Sequence, residues 1–172
     1  MQWNKKCIEN TRLNNYTHKR LNKHKMFSKE ESAQLRKEFW TSFGKSFPRK
    51  WLMYNTQIKD FSFKFVADKN KALVCLDIES LDKNKNQLLF DQVLELKSNL
   101  TDDYLPDVIF DEFHLLDNGK IIHRVYVKYH REFNIHNKNT WQGAYNFFNE
   151  AMHQFELFYE DYEDFIKQAV YN

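Results

Sequence analysis

The first strong pattern of apolar and polar positions along the chain is helical. Ser28 and Glu31 have the spacing of a capping box, in which each side chain accepts a hydrogen bond from the other residue's backbone N–H group. Apolar residues follow at intervals of four, at Leu35, Phe39 and Phe43. This pattern predicts a helix over residues 29–43 that ends near Gly44.

The next segments alternate with a period of two. Phenylalanines at positions 61, 63 and 65 alternate with Ser62 and Lys64, and residues 72–78 repeat the alternation after a turn-like segment. Residues 51–56 also have the composition of a strand. The connections are too short for parallel crossovers, so we predict three antiparallel strands here.

A second helix and a hairpin follow. Leu89, Val93, Leu96 and Leu100 are spaced by four, three and four residues, which predicts a helix over about residues 86–100. Residues 108–115, a turn at residues 117–119 and residues 120–129 then predict a β-hairpin.

The C-terminal segment has the longest pattern. Apolar residues alternate in steps of four and three from Trp141 to Ile166, which predicts one helix of about 26 residues and about 40 Å. The element order is therefore αβββαββα. We predict a single α+β domain with an antiparallel sheet of about five strands and helices on one face.

Composition narrows the possible classes of protein. The chain has 172 residues, 42% of them apolar, which suits one globular domain. It has only three glycines, and none forms the glycine-rich loop of a phosphate-binding or dinucleotide-binding site. Two cysteines are too few for a disulfide framework, and no apolar run reaches the length of a membrane helix. We expect a cytoplasmic protein with no cofactor.

Charge divides the chain in two. Residues 1–25 contain seven basic groups and one acidic group, whereas residues 26–172 carry a net charge of −4. The first segment has neither the apolar stretch of a secretory signal nor an amphipathic period. Asn and Lys supply ten of its 25 residues, as in translated AT-rich DNA. We therefore expect a disordered leader or a mis-assigned start, with Met26 as the biological start and residues 26–172 as the globular domain.

Four segments together resemble a known family. They are "RKWLMYNTQIKDFSFKF", "KALVCLDIE", "LLFDQVLELK" and "NTWQGAYNFFNEAMHQFELFY". They are similar to the bacterial and archaeal domain of unknown function family numbered 4268, over about residues 28–166. In larger members this domain resembles an appendage placed after a restriction-endonuclease-like domain. The resemblance implies a link to nucleic-acid processing or defence.

A restriction-type nuclease site is one candidate. Asp77, Glu95 and Lys97 have the order of a site in which two carboxylates hold a divalent cation and a lysine stabilises charge. On a strand, residues 95 and 97 would point to the same side, whereas on a helix they diverge by about 200°. A helical structure of residues 88–98 therefore argues against the nuclease, and Asp77 and Glu79 would then be solvated on the polar face of the sheet.

Two further groups of residues are candidate ligand sites. Arg49, Lys50 and Trp51 combine cations with an indole, and Arg124 and Lys128 could extend this surface to a weak single-strand nucleic-acid binder. The alternative is a core tryptophan with solvated neighbours. The four histidines at positions 114, 123, 130 and 136 lack the paired spacing of a zinc site, so we expect no metal.

The C-terminal helix is the predicted interaction surface. It is longer than the predicted strands, so part of its aromatic seam should overhang the sheet and contact a protein partner or a second copy. The residues of this surface are Trp141, Tyr145, Phe148, Phe155, Phe158, Tyr159 and Tyr162. From the sequence we expect a non-enzymatic interaction or accessory domain. We do not expect it to contact nucleic acid or a membrane directly.

Overall fold

A sheet of four strands and one layer of helices make up residues 27–171, the part of the chain that the structure, a computed structural model, describes. The predicted leader, residues 1–25, lies outside this range. The main elements are α1 (Lys29–Ser46), β1 (Phe61–Ala67), β2 (Ala72–Ile78), α2 (Lys83–Glu95), α3 (Lys97–Asn99), β3 (Ile109–Leu115), β4 (Ile121–Lys128) and α4 (Trp141–Tyr171). No helix within residues 27–171 has both the length and the apolar character needed to span a bilayer.

All strand pairs are antiparallel, and the order across the sheet is β1-β2-β4-β3. The predicted α+β class, the antiparallel sheet and the long C-terminal helix are confirmed. The predicted count of five strands is wrong, because residues 27–171 form four. The first strand of the predicted order αβββαββα, residues 51–56, is absent from the structure.

The segment that does not form a strand is residues 51–56. Met53 and Gln57 have φ angles of 39° and 61°, in the left-handed region that a strand does not use. The backbone N–H group of Leu52 donates to Glu156 Oε1 on α4 at 2.7 Å instead of to a neighbouring strand. Trp51 and Leu52 pack against the core as part of an irregular segment, whereas Tyr54 is exposed.

The predicted second helix is confirmed but divided. Asp82 accepts hydrogen bonds from the N–H groups of Asn84 and Lys85 and so begins α2 three residues before the predicted start. Leu96 separates α2 from the single turn of α3, and a π-helical turn, Leu100–Tyr104, continues the segment. Residues 88–98 are thus helical apart from Leu96.

The core lies between the sheet and the helix layer and is dominated by aromatic rings. Phe148 of α4 is fully buried, and its ring centroid lies 5.2 Å from that of Phe65 on β1. It also contacts three rings of α1 at 5.6 to 6.2 Å, those of Phe39, Trp40 and Phe43. One residue of α4 therefore joins the first helix to the edge of the sheet.

Glu156→Ala tests how the irregular segment is held. The substitution removes the acceptor for Leu52 N–H and the ion-pair partner of Arg49. We expect the free energy of unfolding to fall by about 1–3 kcal/mol, the cost of leaving a buried polar group without its partner. Urea denaturation measures the change. Glu160→Ala, an exposed position one turn along α4, is the matched control and should change the value by less than about 0.5 kcal/mol. Equal effects of the two variants would contradict the role of Glu156.

Candidate functional site

The sheet face opposite the helices, here called the open face, carries a buried ion pair. Asp77 on β2 lies opposite Arg124 on β4 in the strand register. Arg124 Nε lies 2.6 Å from Asp77 Oδ1, and Nη2 lies 2.8 Å from Oδ2. Asp77 is 1% exposed and Arg124 is 5% exposed. Asp77 is therefore not a solvated carboxylate as the sequence suggested, since the guanidinium across the strand pair binds both of its oxygens.

His114 extends this ion pair to β3. Arg124 Nη1 lies 2.8 Å from His114 Nε2, and His114 Nδ1 lies 2.8 Å from Asp111 Oδ2. A guanidinium can only donate, so Nε2 accepts and the ring proton lies on Nδ1, which donates to Asp111. The hydrogen bonds thus assign a neutral imidazole that links two strands.

Lys64 on β1 links the Asp77–Arg124 ion pair to Glu79, which follows the end of β2. Its Nζ lies 3.2 Å from Asp77 Oδ2 and also pairs with Glu79, which Lys120 binds at 3.2 Å. Burial disfavours the charge of Lys64, but the hydrogen bonds and charges of Glu79 and Asp77 outweigh it and raise its pKa. Burial likewise opposes the charge of Glu79, but its two lysine partners lower its pKa overall. We call this group the open-face network; its members are Lys64, Asp77, Glu79, Asp111, His114, Lys120 and Arg124.

Cys75 lies inside this network. Burial is the main cause that raises the pKa of its thiol to about 12. The thiol therefore stays protonated at neutral pH, and the thiolate needed for nucleophilic catalysis is not formed there.

The residues of the predicted nuclease site lie on different kinds of element. Glu95 ends α2 and Lys97 begins α3, both exposed and both helical, while the carboxylate of Asp77 is bound by Arg124 on the sheet. Lys97 Nζ lies 5.5 Å from the centroid of the Phe110 ring. In the described part of the chain, no group of three His, Cys, Asp or Glu residues is arranged to hold a metal ion.

The predicted ligand surface is divided between the two sides of the sheet. On the helix side, the Arg49 guanidinium lies 4.0 Å from the centroid of the Trp51 ring and pairs with Glu156. Lys50 is exposed beside them. The remaining two residues lie on β4, where Arg124 belongs to the open-face network and Lys128 is exposed at the strand end. Arg49 and Trp51 are thus bound to each other rather than free to stack on a base.

The predicted partner surface on α4 is mostly internal. Six of its seven residues are at most 6% exposed, namely Trp141, Tyr145, Phe148, Phe155, Phe158 and Tyr159. Tyr162 is half-buried. Most of these aromatic rings pack against α1 or β1, and those of Phe158 and Tyr162 lie against Tyr104, so little of the predicted surface is exposed.

Exposed apolar side chains collect instead at the tip of the second hairpin. Phe113, Leu115 and Ile121 are 70%, 64% and 59% exposed, and we call them the hairpin patch. Leu115 lies directly opposite Ile121 in the register. A β-bulge between Asp111 and His114 shifts the register and places Phe113 beside His123, with ring centroids 6.4 Å apart.

The surroundings of the hairpin patch are acidic. Gln87 Nε2 lies 2.8 Å from Asp91 Oδ1 and 3.2 Å from Glu112 Oε1, so one neutral amide donates hydrogen bonds to two carboxylates. Asp117 is exposed in the hairpin turn. Within residues 27–171, none of these three carboxylates has a cationic side chain within 4.0 Å.

A family model described as a domain of unknown function, DUF4268, matches residues 35–163. The chain belongs to this family. Neither the curated proteins nor the solved structures contain a match to the chain. The DUF4268 match begins within α1 and ends within α4, so it includes all four strands, the open-face network and the hairpin patch.

Sequence reasoning missed the hairpin patch. The two segments on either side of the turn at residues 117–119 predicted a hairpin, but they could not show that the bulge displaces Phe113. The signal that was present is the pair of apolar residues on the two sides of the turn, Leu115 and Ile121.

Arg124→Met tests the open-face network. It leaves Asp77 buried without the guanidinium, so we expect the free energy of unfolding to fall by about 3 kcal/mol. The double variant Asp77→Leu and Arg124→Met removes both charges and should recover most of that loss, because no buried charge is left unpaired. Urea denaturation of the three proteins measures both effects. A double variant less stable than Arg124→Met would contradict this account.

Proposed function

We propose that this DUF4268 domain is a non-enzymatic accessory module that binds a partner protein through the hairpin patch. The observation that carries the proposal is the exposure of Phe113, Leu115 and Ile121 side by side at one end of the sheet. Clustered exposed apolar residues with a polar rim are typical of protein interfaces. The bulge in β3 disfavours regular strand addition, so the contact is made by side chains.

The partner should present an apolar centre and a basic rim. Asp91, Glu112 and Asp117 lie on the elements that flank the hairpin patch, and none of them forms an ion pair with a cation of residues 27–171. Complementary charge accelerates association and selects among partners. We therefore infer that lysines or arginines of the partner surround its apolar contact.

The cellular role we propose is nucleic-acid processing or defence in the cytoplasm. It is supported by the resemblance described above, in which larger proteins carry this domain after a restriction-endonuclease-like domain. In this proposal, the chain supplies the accessory domain and its partner supplies the catalytic one.

An affinity experiment with the tagged full chain tests the hairpin patch. Proteins captured from native cells are compared for the wild type and for Phe113→Ser with Leu115→Ser. We expect the specific partner to be lost from the double variant, because both apolar anchors are removed. Binding of that purified partner should also weaken as salt rises, since charge contributes.

Leu81→Ser is the matched control. Leu81 is an exposed leucine, 92% accessible, outside the hairpin, and its replacement should leave the partner bound. If the variant with both Phe113→Ser and Leu115→Ser still binds the partner, the proposal is wrong. Light scattering of the purified chain tests for a homodimer. A dimer that Phe113→Ser dissociates would show that the hairpin patch binds a second copy of the chain, and would overturn the proposal of a different partner protein.

A metal-dependent nuclease that uses Asp77, Glu95 and Lys97 is the alternative proposal. We expect no cleavage of plasmid DNA by the purified chain with Mg²⁺ or Mn²⁺, because the helical placement of Glu95 and Lys97 turns their side chains apart. Gel electrophoresis of the plasmid provides the measurement. Cation-dependent cleavage that Glu95→Ala abolishes, while Glu160→Ala does not, would establish the nuclease instead.

A further inference from the structure

A groove of about 480 Å³ lies between α4 and the end of β4. One wall is a face of α4 that presents Asn146, Glu150 and Gln154 at intervals of four residues. The other walls are residues 127–131 and residues 105–107. Its volume lies in the range of sites that hold small molecules.

The floor of the groove is apolar and includes two aromatic rings. Leu105, Val127 and Ala151 are buried beneath it. The rings of Tyr129 and Phe147 are half-buried, with centroids 5.4 Å apart. This floor suits an apolar group of the size of an aromatic ring.

The fit of the Tyr129 ring depends on a glycine of α4. A Cβ atom at Gly143 would collide with the Tyr129 hydroxyl group, so any other residue there must displace this side chain. The close approach lets the tyrosine ring lie against Phe147 and form part of the floor.

Charges of opposite sign stand on the two sides of the floor. Lys128 and Arg131 are exposed on the strand side, and Glu150 is exposed on α4. In the described part of the chain, none of the three belongs to an ion pair. By contrast, His130 and Asp107, which also line the groove, lie 3.5 Å from each other.

We propose that the groove binds an α-amino acid with an apolar side chain. The ligand carboxylate pairs with Arg131 and Lys128, its ammonium group pairs with Glu150, and its side chain lies on Phe147 and Tyr129. A zwitterion satisfies both charged walls at once, whereas an anion or a cation alone leaves one wall unmatched.

This site is separate from the proposed partner surface. Ile121 of the hairpin patch and Lys128 of the groove stand at opposite ends of β4, about 23 Å apart along the strand. Variants of one site should therefore leave the other unchanged, so the two proposals succeed or fail independently.

Calorimetric titration of the full chain with L-phenylalanine tests the proposal. We expect saturable binding with one site per chain. Two analogues dissect the charges: 3-phenylpropionate lacks the ammonium group and 2-phenylethylamine lacks the carboxylate. Each should bind about tenfold more weakly or worse, the loss expected for one charge-assisted contact at a partly solvated site.

Variants place the ligand in the groove. Arg131→Ala and Glu150→Gln should each weaken L-phenylalanine binding by about tenfold. Gly143→Ala should also weaken it, because the displaced Tyr129 side chain disturbs the floor. Arg36→Ala, which removes an exposed arginine from α1, is the control and should leave the affinity unchanged.

Three results would overturn the proposal. The first is no binding of L-phenylalanine to the folded wild-type chain at millimolar concentration. The second is equal binding of L-phenylalanine and 3-phenylpropionate, which would remove the role of Glu150. The third is binding that Arg131→Ala, Glu150→Gln and Gly143→Ala all leave unchanged while circular dichroism shows that they remain folded.

Discussion

The packing of α4 against the helix-facing side of β1 is the constraint on which the rest of the structure depends. Phe148 contacts rings of α1 and β1, and further along the helix Phe155 lies 5.6 Å from Phe63, with Tyr159 5.9 Å from the same ring. The Tyr145 hydroxyl donates to the Phe39 carbonyl at 2.8 Å, which ties α1 to the same seam. Since most aromatic side chains of α4 are used within the chain, the two surfaces that we propose lie elsewhere.

The central strand β2 imposes the second constraint, because all seven of its residues are buried, although the helices of residues 27–171 lie on one side of the sheet. On the open face, this burial includes a carboxylate, and a buried charge is tolerated only with a partner. The guanidinium of Arg124 supplies it, and the open-face network carries the pairing from β1 through to β3. The network pairs the buried charges of the open face with one another, so it is not the site at which we place function.

The two proposed surfaces lie at opposite ends of β4. At one end of β4 the hairpin extends with exposed apolar side chains, and at the other end the chain turns away from α4 and leaves a groove. The first surface is apolar and is flanked by acidic residues, which suits a protein partner. The second is concave and carries both charges, which suits a small zwitterion. The DUF4268 match covers both surfaces, so neither lies in a terminal extension of the domain.

Local patterns of the sequence determined the main helices and four of the five expected strands with good bounds, since spacing of apolar residues follows directly from helix and strand geometry. They also predicted the separation of Glu95 and Lys97, because a helix directs residues two apart to different sides. Tertiary structure decided the remainder. Residues 51–56 have strand composition, but Glu156, 104 positions away from Leu52, takes the hydrogen bond that a strand would need. Asp77 is buried because β4 brings Arg124 opposite to it, and Phe113 is exposed because a bulge shifts its register. Each of these outcomes depends on a contact between residues distant in sequence, which no local pattern contains.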